Sequence, residues 1–263
     1  MKKLIVFILI LIQTSSFSQE WKQIGQDIDG ESLIDKSGFS VSLSSDGTIV
    51  AIGARENDGA TFDITDDRGH VRVYQNIDGT WIQMGGDIDG EARDDFSGSS
   101  VSLSSDGTRL AIGTPANDGN GISSGHVRVY EYTSGTWEQM GSDIDGDAEG
   151  DYSGQSVSLS DDGFILAIGA NYNDGNGIDA GQVRIYQYEG SDWVQMGVDI
   201  DGEAAGDGSG HSVSLSNDGT IVAIGAYWND GNGSNAGHVR VYHWNGSAWV
   251  QRGSDIDGET AGD

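Results

Sequence analysis

Cysteine is absent from the 263 residues and proline occurs once. The first absence removes disulfides, thiolate nucleophiles and Cys-ligated zinc or iron–sulfur centres. The second, set beside 42 glycines, fits a turn-dense β protein, because proline is kept out where ladders need backbone donors and glycine supplies turns with positive φ. Basic residues are also scarce: 13 Lys and Arg stand against 42 Asp and Glu, a formal net charge of −29. Such a chain is repelled by nucleic-acid backbones and anionic lipid, which argues against both as partners. No apolar run reaches the ~20 residues that span a bilayer. The longest, residues 4–12, follows Lys2 and Lys3 and precedes small polar residues ending at Ser18. That order predicts a secretory signal over residues 1–18 and a secreted or cell-surface chain over 19–263 with no membrane span. Without Lys2 and Lys3 the mature chain has 11 cationic and 42 acidic residues, a net charge of −31.

What is present is a repeat. Trp21, Trp81, Trp137, Trp193 and Trp249 mark it, the last three intervals being equal and the first slightly longer, and the intervening sequence repeats with them. One unit reads Gln155-Ser-Val-Ser-Leu-Ser-Asp-Asp-Gly163, Phe164-Ile-Leu-Ala-Ile-Gly-Ala170, an Asn173-Asp-Gly-Asn-Gly177 loop, Gly181-Gln-Val-Arg-Ile-Tyr186 and Trp193-Val-Gln-Met-Gly197. Four short runs rich in Val, Ile, Tyr and Trp, each bounded by Gly, Asn, Asp or Ser, predict four strands per unit. The Asp-Gly pairs at Asp46, Asp106, Asp162 and Asp218 predict tight hairpins between the first two strands. Four antiparallel strands in each Trp-to-Trp interval make a β-propeller blade, so the expected fold is all-β, with four full blades in a single propeller domain. The Trp that opens each last strand is expected to cover the seam to the next blade. The first unit is longer because the loop from Arg55 to Arg68 is enlarged and holds Phe62. That insertion is expected to mark a mouth of the propeller.

The units resemble the FG-GAP family, the blade type of integrin α-subunits, in its bacterial and algal variant, over essentially all of residues 21–263. Ser37-Gly38, Ser97-Gly98, Ser153-Gly154 and Ser209-Gly210 stand where that family has Phe-Gly. Its Gly-Ala-Pro element corresponds to Gly53-Ala-Arg55, Gly113-Thr-Pro115, Gly169-Ala-Asn171 and Gly225-Ala-Tyr227. The resemblance implies an extracellular propeller of six or seven blades, of which these residues form an arc. It also implies calcium between the first two strands, but that connection is only Ser-Ser-Asp-Gly or a close variant, too short to enclose an ion.

Carboxylates recur instead after each Trp strand. Asp27, Asp29, Glu31 and Asp35 repeat as Asp87, Asp89, Glu91 and Asp95, as Asp143, Asp145, Asp147 and Asp151, and as Asp199, Asp201, Glu203 and Asp207. Oxygen donors at relative positions 1, 3, 5 and 9 of a glycine-containing loop suit calcium. The alternative is a solvated turn whose first Asp accepts backbone hydrogen bonds. Arg72, Arg128, Arg184 and Arg240 recur once per unit and are expected to form structural ion pairs with these loops. No Gly-x-Ser-x-Gly elbow, His-Glu-x-x-His pair, P-loop or dinucleotide fingerprint is present, so no catalytic residues are assigned. Where the units deviate, at Tyr172, Tyr227 and Trp228, aromatic side chains are expected to meet a glycan or protein ligand. The expected function is non-catalytic binding or adhesion outside the cell, with a carbohydrate-active enzyme and a structural surface array as the alternatives.

Overall fold

The computed structural model describes residues 21–59 and 65–262; the predicted signal segment and Phe62 lie outside them. The described chain is all-β, with four consecutive antiparallel sheets. In the first blade the strands are Ser40–Leu43, Ile49–Ala54, His70–Ile77 and Thr80–Gln83, paired in sequence order. The same four recur in blade 2 (Ser100–Leu103 to Thr136–Gln139), blade 3 (Ser156–Leu159 to Trp193–Gln195) and blade 4 (Ser209–Leu215 to Trp249–Gln251). A two-residue strand, Ile88–Asp89 in blade 1, follows each outer strand and pairs with the start of the third.

The hairpins form as their sequence dictates. Asp218 accepts hydrogen bonds from the Thr220 amide, the Ser216 hydroxyl and the Thr220 hydroxyl, and Gly219 takes the positive φ of 68° that closes the turn. The Thr220 amide, followed by those two hydroxyls, lowers the Asp218 carboxyl to about 2.

Each hydrophobic cluster is a seam between two blades rather than the inside of one. Ile49, Ala51, Val71 and Val73 of blade 1 pack on Val101, Leu103, Leu110 and Ile112 of blade 2. Blades 2 and 3, then 3 and 4, repeat the arrangement. Polar contacts run along the same seams. The Leu103 amide donates to Ser42 Oγ at 2.9 Å, and the Ser40 hydroxyl donates to the Gly98 carbonyl at 2.7 Å. Gly53, Gly113 and Gly169 back directly onto the carbonyls of Gly98, Gly154 and Gly210, and a Cβ there would overlap the oxygen. The Ser-Gly and Gly-Ala elements are therefore the two sides of one close backbone approach.

The recurring Trp reaches the preceding blade rather than the next one. Trp137 Nε1 donates to the Met84 carbonyl at 2.8 Å, Trp193 to that of Met140 and Trp249 to that of Met196. The fifth Trp, Trp21, is fully exposed and its segment is not a strand. Even so, the Ile24 carbonyl accepts from Trp81 Nε1, so this segment meets blade 1 as a preceding outer strand would.

The arc is open at both ends. Val41 and Leu43 of blade 1 are 63% and 59% exposed, whereas their equivalents Val101 and Leu103 are 9% and 7% exposed. At the far end Ile256 is 62% exposed, whereas Ile88, Ile144 and Ile200 are buried.

Candidate functional site

The topology sends three kinds of loop to one mouth of the arc: those entering the first strands, those joining the second to the third, and the acidic loops. The opposite mouth carries the tight hairpins. Nearest the axis, the deviating positions of different blades meet. Tyr152 and Tyr172 have ring centroids 5.3 Å apart, Tyr172 and Trp228 6.1 Å, Tyr227 and Trp228 4.2 Å, and His211 and Tyr227 4.1 Å. The predicted Tyr172, Tyr227 and Trp228 are thus brought together across two blades, joined by Tyr152 and His211. Burial, with Tyr172 adding to it, raises the Tyr227 phenol.

On the other side of Tyr152 the mouth opens into a groove of about 440 Å³ whose lining includes Phe39, Arg55, Phe96, Pro115, Ile122 and Tyr152. The Arg55 guanidinium sits 4.1 Å from the Phe39 ring centroid and 5.7 Å from that of Phe96, a cation–π arrangement that holds both rings in place. These residues occupy the same two loops, just before and after Ser-Gly and just after the second strand, as the aromatic cluster does in blades 3 and 4. Phe39, Phe96, Tyr152 and His211 were legible as deviations flanking Ser-Gly but were not singled out from the sequence.

Farther from the axis lie the acidic loops, and the four carboxylates of each turn in different directions. In the loop from Asp143, Asp143 accepts from Gln139, Asp147 pairs with Arg184 at 2.7 Å, and Asp151 accepts from the Ala148 amide and from Asn173. Asp35, Asp95 and Asp207 repeat the last arrangement with Asn57, Asn117 and Asn229. These buried Asp residues brace their loop against the blade. Asp27, Asp87, Asp199 and Asp255 each accept from a Gln four residues earlier. Burial raises Asp145 and Asp147, with Arg184 opposing it at both.

Each recurrent arginine donates through Nη2 to a carbonyl of the acidic loop before its blade: Arg72 to Asp29, Arg128 to Asp89, Arg184 to Asp145 and Arg240 to Asp201. Its Nη1 faces the acidic side chain two residues on. That separation is 2.7 Å for Arg184 and Asp147, but 3.5, 3.6 and 3.8 Å for Arg72–Glu31, Arg128–Glu91 and Arg240–Glu203.

The groups that do converge come from two successive acidic loops plus the histidine that opens the third strand. Glu31, His70 and Asp87 bring one donor atom each within 4.8 Å of one another, as do Glu91, His126 and Asp143, and Glu203, His238 and Asp255. They could hold a metal ion. All three imidazoles are buried; burial pushes His126 down to about 4, with Arg128 adding to it, and lowers His70 as well.

The FG-GAP repeat profile matches residues 142–186 and 198–242, each stretch running from an acidic loop through the third strand of a blade. The chain carries FG-GAP repeats. Its two matched repeats include both sides of the Ser-Gly and Gly-Ala approach. No curated protein matches the chain. Among solved structures it is similar to the periplasmic gluconolactonase of Pseudomonas aeruginosa, with a TM-score of 0.54 and 17% identity over 83% of this chain and 56% of that one. It is also similar to the hydrazine synthase of Kuenenia stuttgartiensis, with a TM-score of 0.54 and 13% identity over 88% of this chain and 52% of that one. At these identities the likeness is one of fold. The chain spans about half the length of the solved structures it matches.

Proposed function

We propose that this FG-GAP arc is a secreted or cell-surface binding module without catalytic activity, and that it takes a glycan across the aromatic mouth. The observation that carries the reading is that Tyr152, Tyr172, His211, Tyr227 and Trp228 form one cluster at the mouth, at loop positions where otherwise near-identical blades differ. Rings that are half-buried or exposed suit the apolar faces of sugar rings, and the phenol and imidazole edges can donate to hydroxyls. An extracellular protein is the other ligand such a surface can take.

A glycan array followed by a polysaccharide-cleavage assay tests this. The expected result is binding without product release, and Tyr172→Ala or Trp228→Ala each costing about 2 kcal/mol, some 30-fold in affinity. Released oligosaccharide would make the chain an enzyme, and affinity unchanged in both variants would remove the mouth from recognition.

Calcium belongs to the same reading as a weak counter-ion of the acidic loops, held at roughly 10⁻⁴–10⁻³ M as in extracellular modules. Support comes from the mature chain's net charge of −31 (11 cationic and 42 acidic residues), whose self-repulsion a native-state cation would relieve. The melting temperature should then rise from excess chelator to millimolar calcium at fixed ionic strength, and more than with magnesium. Equal values would leave the loops as turns paired to arginine.

A further inference from the structure

The histidine that opens the third strand is buried in three blades, and in two of them one ring nitrogen has no hydrogen-bond partner, Nε2 of His126 and Nδ1 of His238. His238 is 5% exposed, and its Nδ1 has no hydrogen-bond partner. That nitrogen lies 3.8 Å from Glu203 Oε2, too far for a hydrogen bond and the right order of separation for two atoms sharing an ion. At blade 2 the His126 Nδ1 stands 3.8 Å from Asp143 Oδ2, and at blade 1 the His70 Nδ1 stands 3.8 Å from Glu31 Oε2. A buried polar atom left unpaired costs about 1–3 kcal/mol, so an arrangement that leaves Nδ1 of His238 bare calls for a ligand.

We propose that the three Glu–His–Asp clusters are sites for a borderline divalent metal of the zinc class, one ion per cluster. Donors mutually within 4.8 Å can be met by an ion roughly 2–2.8 Å from each, and small side-chain movements bring that to the ~2.1 Å of zinc–imidazole and zinc–carboxylate bonds. An imidazole among the donors favours zinc-class ions over calcium and magnesium, which take oxygen sets. Two carboxylates neutralise the ion's charge, and the fourth position is left for water. This proposal concerns the blade flank, not the aromatic mouth, and stands independently of the glycan reading.

Blade 3 is the internal control. There Gln182 replaces the histidine and Asp147 replaces the glutamate. Asp147 closes on Arg184 at 2.7 Å, whereas Glu31, Glu91 and Glu203 stand 3.5–3.8 Å from their arginines. Gln182 Nε2 donates to Asp201 instead. Where the imidazole is missing, the acid is spent on arginine. Where it is present, the glutamate stands back from arginine.

Equilibrium dialysis of the mature chain against zinc, with metal counted by mass spectrometry, tests the assignment. Three zinc ions per chain are expected, undisplaced by a tenfold excess of calcium, together with shifted ¹⁵N resonances for three of the five histidines. His70→Gln/His126→Gln/His238→Gln, which imports the blade-3 residue at each site, should weaken zinc binding at least tenfold. The converse Gln182→His/Asp147→Glu should add a fourth ion, a readout that survives if the triple variant fails to fold. Zinc that binds no more tightly than calcium, or stoichiometry that follows neither set of substitutions, would overturn the proposal.

Discussion

Gly169→Ala should destabilise the chain by about 3 kcal/mol, at the upper end of overpacking costs, or roughly 6–12 °C in melting temperature. Gly169 is not in the left-handed region, so alanine suits its backbone; the cost is purely steric. The added methyl would overlap the Gly210 carbonyl oxygen of blade 4, and neither strand can yield without opening the seam built from Ala167, Val183, Val222 and Ile224. Gly225 is the same position one blade on, and no backbone of a further blade faces it. A Cβ there meets only Ser212, whose hydroxyl can rotate away. Gly225→Ala should therefore cost less than about 1 kcal/mol. Calorimetry of the two variants side by side reads the difference. Equal destabilisation would mean that the Gly-Ala element serves its own strand and not the seam.

Self-association is the second large effect. The leading face of blade 1, with Val41 and Leu43 exposed, and the trailing face of blade 4, with Ile256 exposed, are the two halves of a seam that the chain makes three times internally. Unpaired apolar faces of this kind associate. Sedimentation velocity should show concentration-dependent species larger than one chain, and Leu43→Glu should shift the distribution toward monomer by burying a charge in the contact. Ile256→Glu, at the other end, should do the same if the contact runs head to tail. A single monomeric species from micromolar to millimolar concentration would show that the open faces are tolerated in water.

Much of this architecture could be read directly. The Trp spacing, the alternation of Val and Ile with polar residues, and the Asp-Gly turns all report local geometry, which a repeat displays several times over. What could not be read was what each repeated element touches. Ser-Gly and Gly-Ala bond to each other within a unit, as the Gly98 amide does to the Gly113 carbonyl, but they also meet between units, where Gly98 backs onto Gly53 and Gly154 onto Gly113. The acidic loop misleads for a similar reason. Its four carboxylates look like one cation shell in the sequence, but Asp35, Asp95, Asp151 and Asp207 are consumed by asparagines 22 residues on. The convergent donors come instead from successive acidic loops a full repeat apart, Glu31 with Asp87 and Glu91 with Asp143. One signal was available. Histidine becomes glutamine and glutamate becomes aspartate at corresponding positions around one blade, at Gln182 and Asp147. Paired exceptions in an otherwise regular repeat mark residues that share a site.

If the blades are a uniform scaffold and recognition resides where they differ, a ligand should protect only the differing loops. Hydrogen–deuterium exchange with and without the oligosaccharide selected by the array tests this most directly. Slowed exchange is expected in residues 150–156, 171–174, 207–212 and 226–230, the segments bearing Tyr152, Tyr172, His211, Tyr227 and Trp228, with the outer strands and tight hairpins unchanged. Protection confined to the outer strands or to the opposite mouth would contradict it.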